Sequence, residues 1–159
     1  MIRNATSKDL EIILKIYEKA RLFMRKNGNA SQWINDYPSK ELLLSDIQKN
    51  ELFVIEENQK IHAVFAFIIG KDKTYEKIYE GQWLNDERYG TIHRIASDGS
   101  KKGVLNECIS WAKKQIKNLR GDTHADNIPM QNALKKEGFK YCGIIYIEDG
   151  TPRLAYQSL

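Results

Sequence analysis

Hydrophobic positions along the chain change period several times, and each change marks an element. After an extended opening, Ile2-Arg3-Asn4-Ala5-Thr6, apolar residues at Leu10, Ile13, Leu14, Tyr17, Ala20 and Met24 recur at helical spacing. Thr6 and Asp9 form a Thr-x-x-Asp capping box at the start of this helix, and Gly28 stops it after the basic turn Arg25-Lys26. Residues 29–38 have no period and are expected to be a loop or short turn. A second, shorter helix follows from Ser39 to Lys49, with Leu43 and Ile47 on one face.

The period then drops to that of strands. Leu52-Phe53-Val54-Ile55 and Ile61 to Ile69 flank the polar Glu57-Asn58-Gln59-Lys60, which predicts a hairpin. The second run is almost continuously apolar, as in a central strand covered on both faces. Residues 71–88 are polar, with Tyr75, Tyr79 and Trp83 interspersed, and have no clear pattern. Thr91 to Ser97 reads as a strand that Asp98-Gly99-Ser100 breaks. Val104, Cys108, Ile109, Ala112 and Ile116 mark a third helix. A short strand from Arg120 to His124 and a fourth helix from Ile128 to Lys136 follow, with Gly138 as the stop. Phe139 to Ile147 and Pro152 to Gln157 close the chain as a hairpin. With no repeat and no linker, residues 1–159 form one α/β domain of the α+β type. Its sheet is expected to be mixed, mostly antiparallel and twisted, flanked by about four helices.

Composition narrows the class. A chain of 159 residues with 42% hydrophobic residues has a real core and is not intrinsically disordered. The longest apolar run, Ala63 to Ile69, is too short to cross a bilayer, and the N-terminus has no signal-peptide pattern, so a cytoplasmic protein without a membrane partner is expected. The net charge of +4 is mild, the lysines are dispersed and no recognition motif appears, so no nucleic-acid partner is expected. Cys108 and Cys142 have neither disulfide-framework nor metal-ligand spacing, and no metal is expected.

The passage from strand to helix at residues 91–112 carries the chemistry. A strand that ends in Asp98-Gly99-Ser100-Lys101-Lys102-Gly103 and opens a helix offers free backbone N–H groups at a positive helix end. Lys101 and Lys102 add charge, and Gly103 lets a phosphate approach the backbone. The P-loop lysine and the three-glycine dinucleotide fingerprint are both absent, and an ordinary strand–turn–helix with solvated lysines is the competing interpretation.

Order along the chain favours the anion site. The opening Ile2-Arg3-x-Ala5-Thr6-x-x-Asp9, the run Ser100-Lys101-Lys102-Gly103-Val104, and Asn127 followed by Gly138-Phe139 together resemble the GNAT superfamily of acyl-CoA-dependent N-acetyltransferases over nearly the full length. The resemblance implies acetyl-CoA as co-substrate and direct transfer of its acetyl group to a primary amine of a small molecule or peptide. It implies that Ser100, Lys101, Lys102, Gly103 and Val104 hold the pyrophosphate. It also implies that backbone near Ile95 and Ala96 meets the thioester oxygen, and that the Asn127 amide meets the pantetheine arm. A homodimer is common among such relatives. Two positions depart from the pattern: Leu105 replaces a second loop glycine, and Leu134 stands where many relatives carry a tyrosine that protonates the thiolate. Leu134 motivates the alternative of a non-catalytic acyl-CoA-binding or sensing module.

His93, on the strand face opposite Arg94, is the candidate base, against a packed strand histidine. Tyr146 is the candidate acid, although strand tyrosines commonly pack with the hydroxyl bonded. Trp33, Tyr37 and Trp83 are candidate walls for the acceptor amine, against an ordinary aromatic cluster beneath a loop. His124 reads as a turn residue bonded to Asp122 or Asp126, and His62 as structural. Trp111 reads as core or half-buried, and the two cysteines read as small hydrophobes of the core.

Overall fold

The computed structural model describes residues 1–159. Strand β1 (Ile2–Asn4) leads through a 3₁₀ turn into α1 (Leu10–Lys26). The turn closes as a capping box: Asp9 Oδ2 accepts from the Thr6 N–H at 2.8 Å. Helix α2 (Lys40–Gln48) starts at Ser39, whose hydroxyl accepts from the Leu42 N–H. The hairpin β2 (Leu52–Glu57) and β3 (Lys60–Ile69) follows, then β4 (Gly90–Ser97), α3 (Val104–Gln115) and β5 (Leu119–Thr123). Helix α4 (Ile128–Lys136) and the hairpin β6 (Lys140–Tyr146) and β7 (Pro152–Ser158) complete the chain. The expected helices and hairpins are all present. The strand expected to reach His124 ends one residue earlier, and residues 71–88 contribute only a 3₁₀ turn at Lys73–Tyr75 and one bridge, Tyr79 to Ile144. No helix is long and apolar enough to cross a membrane.

The seven strands form one sheet in the order β1-β2-β3-β4-β5-β7-β6, antiparallel except at β4–β5. Residues Val64 and Ala66 of β3 pack with Ile13, Ile16 and Tyr17 of α1 on one face. Ala63, Phe65 and Phe67 pack with Cys108, Ile109 and Ala112 of α3 on the other. Burial on both faces explains why that strand reads as an uninterrupted apolar run.

Two irregularities in β4 open the sheet. First, β4 pairs with β5 only at Gly90–Leu119 and Thr91–Arg120, after which the strands part. Second, the β3–β4 register shifts between Val64–Ala96 and Ala66–His93. One residue of β3, Phe65, thus faces two of β4, Arg94 and Ile95, a β-bulge that leaves Arg94 at φ 52°. Arg94 and Ile95 have no ladder partner on either side.

Candidate active site

A cavity of about 760 Å³ fills the gap between β4 and β5. Trp33 and Tyr37 from the α1–α2 connection, His93, Arg94 and Ile95 of β4, and Asp122 of β5 line it. Helices α3 and α4 contribute an apolar stretch of Leu105, Ile109, Met130 and Leu134. Asp72 enters from the segment that has no periodic pattern, and Arg153 from β7.

His93 and Asp72 meet here, with Nε2 2.8 Å from Oδ2. The other oxygen, Oδ1, accepts from the Thr74 N–H at 2.9 Å and from its hydroxyl at 2.7 Å. Burial by itself raises the Asp72 carboxyl; the hydrogen bonds from His93 and Thr74 outweigh it and bring it down to about 2. An ionised carboxylate only accepts, so Nε2 of His93 carries the hydrogen of this bond, and in the neutral imidazole Nδ1 is then the accepting nitrogen. A second carboxylate, Asp122, accepts from the Tyr75 hydroxyl at 2.5 Å. Burial first, and Asp122 second, push the Tyr75 phenol well above its usual range, so it stays a neutral donor.

The bulge is pinned from behind. The Tyr17 hydroxyl donates to the Arg94 carbonyl at 2.7 Å, and Arg94 Nη2 donates to Asp46 Oδ2 at 2.6 Å. Both side chains of this ion pair are largely buried. Strict alternation along the strand places Arg94 on the face opposite His93. The extra residue of the bulge breaks that alternation, and His93, Arg94 and Ile95 all line the cavity. Ala96 is back in register with Val64 and is buried.

Helix α3 begins at Gly103, which takes φ 78° and has no atom within 4 Å of the place a Cβ would occupy. No side chain caps the helix, so its first N–H groups remain available for a ligand oxygen. Ser100 has its N–H bonded to Asp98 Oδ1, and Lys101 Nζ lies 3.0 Å from Glu57 Oε2. Lys101 is therefore partly neutralised within the chain, while Lys102 has no ion pair. The uncapped start, the glycine with open space around it and the neighbouring lysines suit a pyrophosphate. Val104 opens the helix itself.

Asn127 caps α4: its Oδ1 accepts from the Met130 N–H at 3.2 Å, while its Nδ2 donates to Gln32 Oε1 at 2.9 Å. Gln32, a residue without any sequence signal, thus ties the α1–α2 connection to the head of α4. Trp33 packs edge-on against Tyr17 and tilts towards Tyr37. Trp83 is not a cavity wall. It lies behind one, against the Arg120 guanidinium at 4.1 Å, with Nε1 donating to the Tyr75 carbonyl. Tyr146 also stays outside, half-exposed on the edge strand β6 and edge-on to Tyr79. The structure does not bring it to His93, because a residue at the end of β6 is separated from β4 by β7 and β5. Leu134 lines the cavity without a hydroxyl. His124 is a turn residue, its Nδ1 accepting from the Asp126 N–H at 2.9 Å. Burial pushes both cysteine thiols up, consistent with core roles. No cluster of three or more His, Cys, Asp or Glu is placed to hold a metal ion.

No family model matches the sequence, and no curated protein matches it. Among solved structures, it is similar to an acetyltransferase of the GNAT family from Streptococcus agalactiae. The identity is 33%, the alignment covers 100% of this chain and 94% of that one, and the TM-score is 0.90. An acetyltransferase of the GNAT family from Listeria monocytogenes shares the fold at 17% identity and TM-score 0.73, over 99% of this chain and 93% of that one. A ribosomal-protein-alanine N-acetyltransferase from Brucella melitensis shares it at 17% identity and TM-score 0.64, over 100% of this chain and 99% of that one.

Proposed function

The chain belongs to the GNAT family of acetyltransferases, and on that footing we propose that it moves an acetyl group from acetyl-CoA to a primary amine by direct attack. The acceptor is a small molecule or a peptide; the Brucella protein with the same fold is named for a protein amine. Acetyl-CoA supplies an activated carbonyl and a thiolate leaving group. The chain's own residues have three tasks.

The first is to deprotonate the amine, since an alkylamine is almost wholly protonated at neutral pH and then has no lone pair to attack with. His93 does this through Nδ1, while Asp72 on Nε2 fixes the tautomer and stabilises the imidazolium that forms. The second is to offer a donor to the carbonyl oxygen as it gains charge. The unpaired backbone at the bulge, Ile95 above all, suits this, and Asp46 and Tyr17 keep it from relaxing into the ladder. The third is to hold the pyrophosphate at the head of α3 with Lys102 and Lys101. No protein acid is required for the leaving group: a thiolate with a pKa near that of free cysteine leaves tolerably without one.

The observation that carries this reading is the Asp72–His93 pair inside the cavity, beside the bulge residues Arg94 and Ile95, which have no register partner in the neighbouring strands. A non-catalytic acyl-CoA-binding module is the second reading, favoured by Leu134 and the wholly apolar stretch around it. The deciding experiment is release of free thiol from acetyl-CoA across an amine panel, with CoA binding measured in parallel. Amine-dependent release supports transfer; binding with no release on any amine supports the module.

A further inference from the structure

Three arginines line the cavity, and their charges are handled differently. Arg94 has Asp46 at 2.6 Å. Arg120 lies between Trp83 and Tyr89, its guanidinium carbon 4.1 and 4.0 Å from their ring centroids. Arg153 has neither arrangement. It is only 5% exposed and makes no ion pair. Its hydrogen bonds all go to neutral oxygens: Nη1 donates to Thr151 Oγ1 at 3.1 Å and to the Pro152 carbonyl at 2.8 Å, and Nη2 to the Gln32 carbonyl at 3.3 Å. Burial pulls this guanidinium down, and the charges of Asp122 and Asp149 oppose that without reaching ion-pairing distance. Both carboxylates have other partners, Asp122 the Tyr75 hydroxyl and Asp149 the Thr151 N–H and hydroxyl.

A buried cation held only by neutral acceptors is short of a counter-charge. Arg153 also keeps free donors. A guanidinium has five N–H bonds, and those engaged leave Nε–H and one on Nη2, enough for a two-point contact with one carboxylate. The Nε atoms of Arg94 and Arg120 are sealed without a partner, whereas that of Arg153 is not sealed.

We propose that the acceptor is an amine that also carries a carboxylate, of the amino-acid class, and that Arg153 recognises its anionic end. The fate of the amine rests on the acetyl-transfer reading above; recognition of the carboxylate is a binding property that can be measured apart from it. Trp33 and Tyr37 then face the remaining body of the acceptor.

The test titrates the full chain, saturated with CoA, with phenylalanine, leucine and lysine and with the methyl ester of each, by calorimetry. Initial rates of thiol release from acetyl-CoA are measured for the same probes. The ester amine sheds its proton more readily, so without carboxylate recognition the esters react faster, and the bias runs against the proposal. At least one acid is expected to bind about tenfold or more tightly than its ester, as a charge-assisted hydrogen bond of this kind gives. Arg153→Gln should erase that preference, and Arg153→Lys, which keeps the charge and loses the fork, should retain part of it. If Arg153→Gln does not fold, the wild-type comparison and Arg153→Lys decide. Esters binding as well as acids, no acid binding at all, or a preference that survives Arg153→Gln overturns the proposal. Acid preference in binding with no thiol release on any probe upholds the carboxylate site and overturns acetyl transfer instead.

Discussion

Replacing Asp72 by Asn tests the base most sharply, because it changes one atom type and almost no volume. Nε2 of His93 and Oδ2 of Asp72 lie 2.8 Å apart, with both side chains mostly shielded from solvent. Unit charges near 4 Å at an effective dielectric of about 20 interact by about 4 kcal/mol. Asp72 is only partly buried, so screening leaves about half, and roughly thirtyfold in kcat is at stake from lost stabilisation of the imidazolium. A tautomer effect adds to this. Thr74 donates twice to Oδ1, so the amide oxygen of the substituted side chain settles there and its NH₂ points at Nε2. Nε2 must then accept, the hydrogen moves to Nδ1, and the base loses its lone pair. The expected loss therefore approaches the full worth of a general base, on the order of a hundredfold. The assay is kcat for thiol release at saturating acetyl-CoA, for Asp72→Asn, His93→Ala and the double variant. The double variant should be no slower than His93→Ala, because the two residues act as one unit. Wild-type kcat in Asp72→Asn, or multiplicative losses in the double variant, refutes the reasoning.

Other consequences are independent of turnover. Asp72 is depressed in the folded state, from 3.8 to about 2, so its stabilisation is complete above the unfolded value and is lost as pH falls from about 4 to 2. After solvent screening this amounts to about 1 kcal/mol, and acid unfolding of Asp72→Asn should be correspondingly less steep in that window. Arg94→Met strands the buried Asp46 carboxylate, at a cost of about 3 kcal/mol and roughly 10 °C in Tm; adding Asp46→Asn should recover part of the loss in a melting experiment. Lys101→Glu with Lys102→Glu should weaken CoA binding roughly tenfold at low ionic strength, with the difference narrowing as salt rises. Unchanged affinity at low salt would remove the pyrophosphate from the head of α3.

The elements built from local pattern were readable in the chain, and those that depend on distant pairing were not. Helix α1 follows from an apolar stripe and a capping box, and the β2–β3 hairpin from two apolar runs around a polar turn. The sequence did allow two candidates to be named: His93 from its place on a strand just before Ile95, and the start of α3 from a strand, a glycine and two lysines in an order that suits an anion. The bulge was not legible, since nothing in Thr91 to Ser97 marks which residue is left over when β4 pairs with β3; the register is set across the sheet. Asp72 was equally hidden, lying in a polar segment whose position is fixed by tertiary contacts: the Tyr89 hydroxyl accepts from its N–H, and His93 meets its side chain. Trp83 and Tyr146 show the converse. Residue type suggested a pocket, but Trp83 is used to support Arg120, and Tyr146 sits on an edge strand. Arg153 has an ordinary strand context in sequence, and only its burial without an ion pair singles it out.

The central claim is that His93 removes the proton from the attacking amine. It is tested most directly by the pH dependence of kcat for His93→Ala beside wild type, on one accepted amine, with CoA affinity measured on the same samples. The expected result is a loss on the order of a hundredfold near neutral pH, a flattened acid limb and CoA affinity within about twofold of wild type, since the head of α3 is untouched. Wild-type kcat with an unaltered profile would contradict it, and would leave His93 as a packed strand residue whose partner happens to be Asp72.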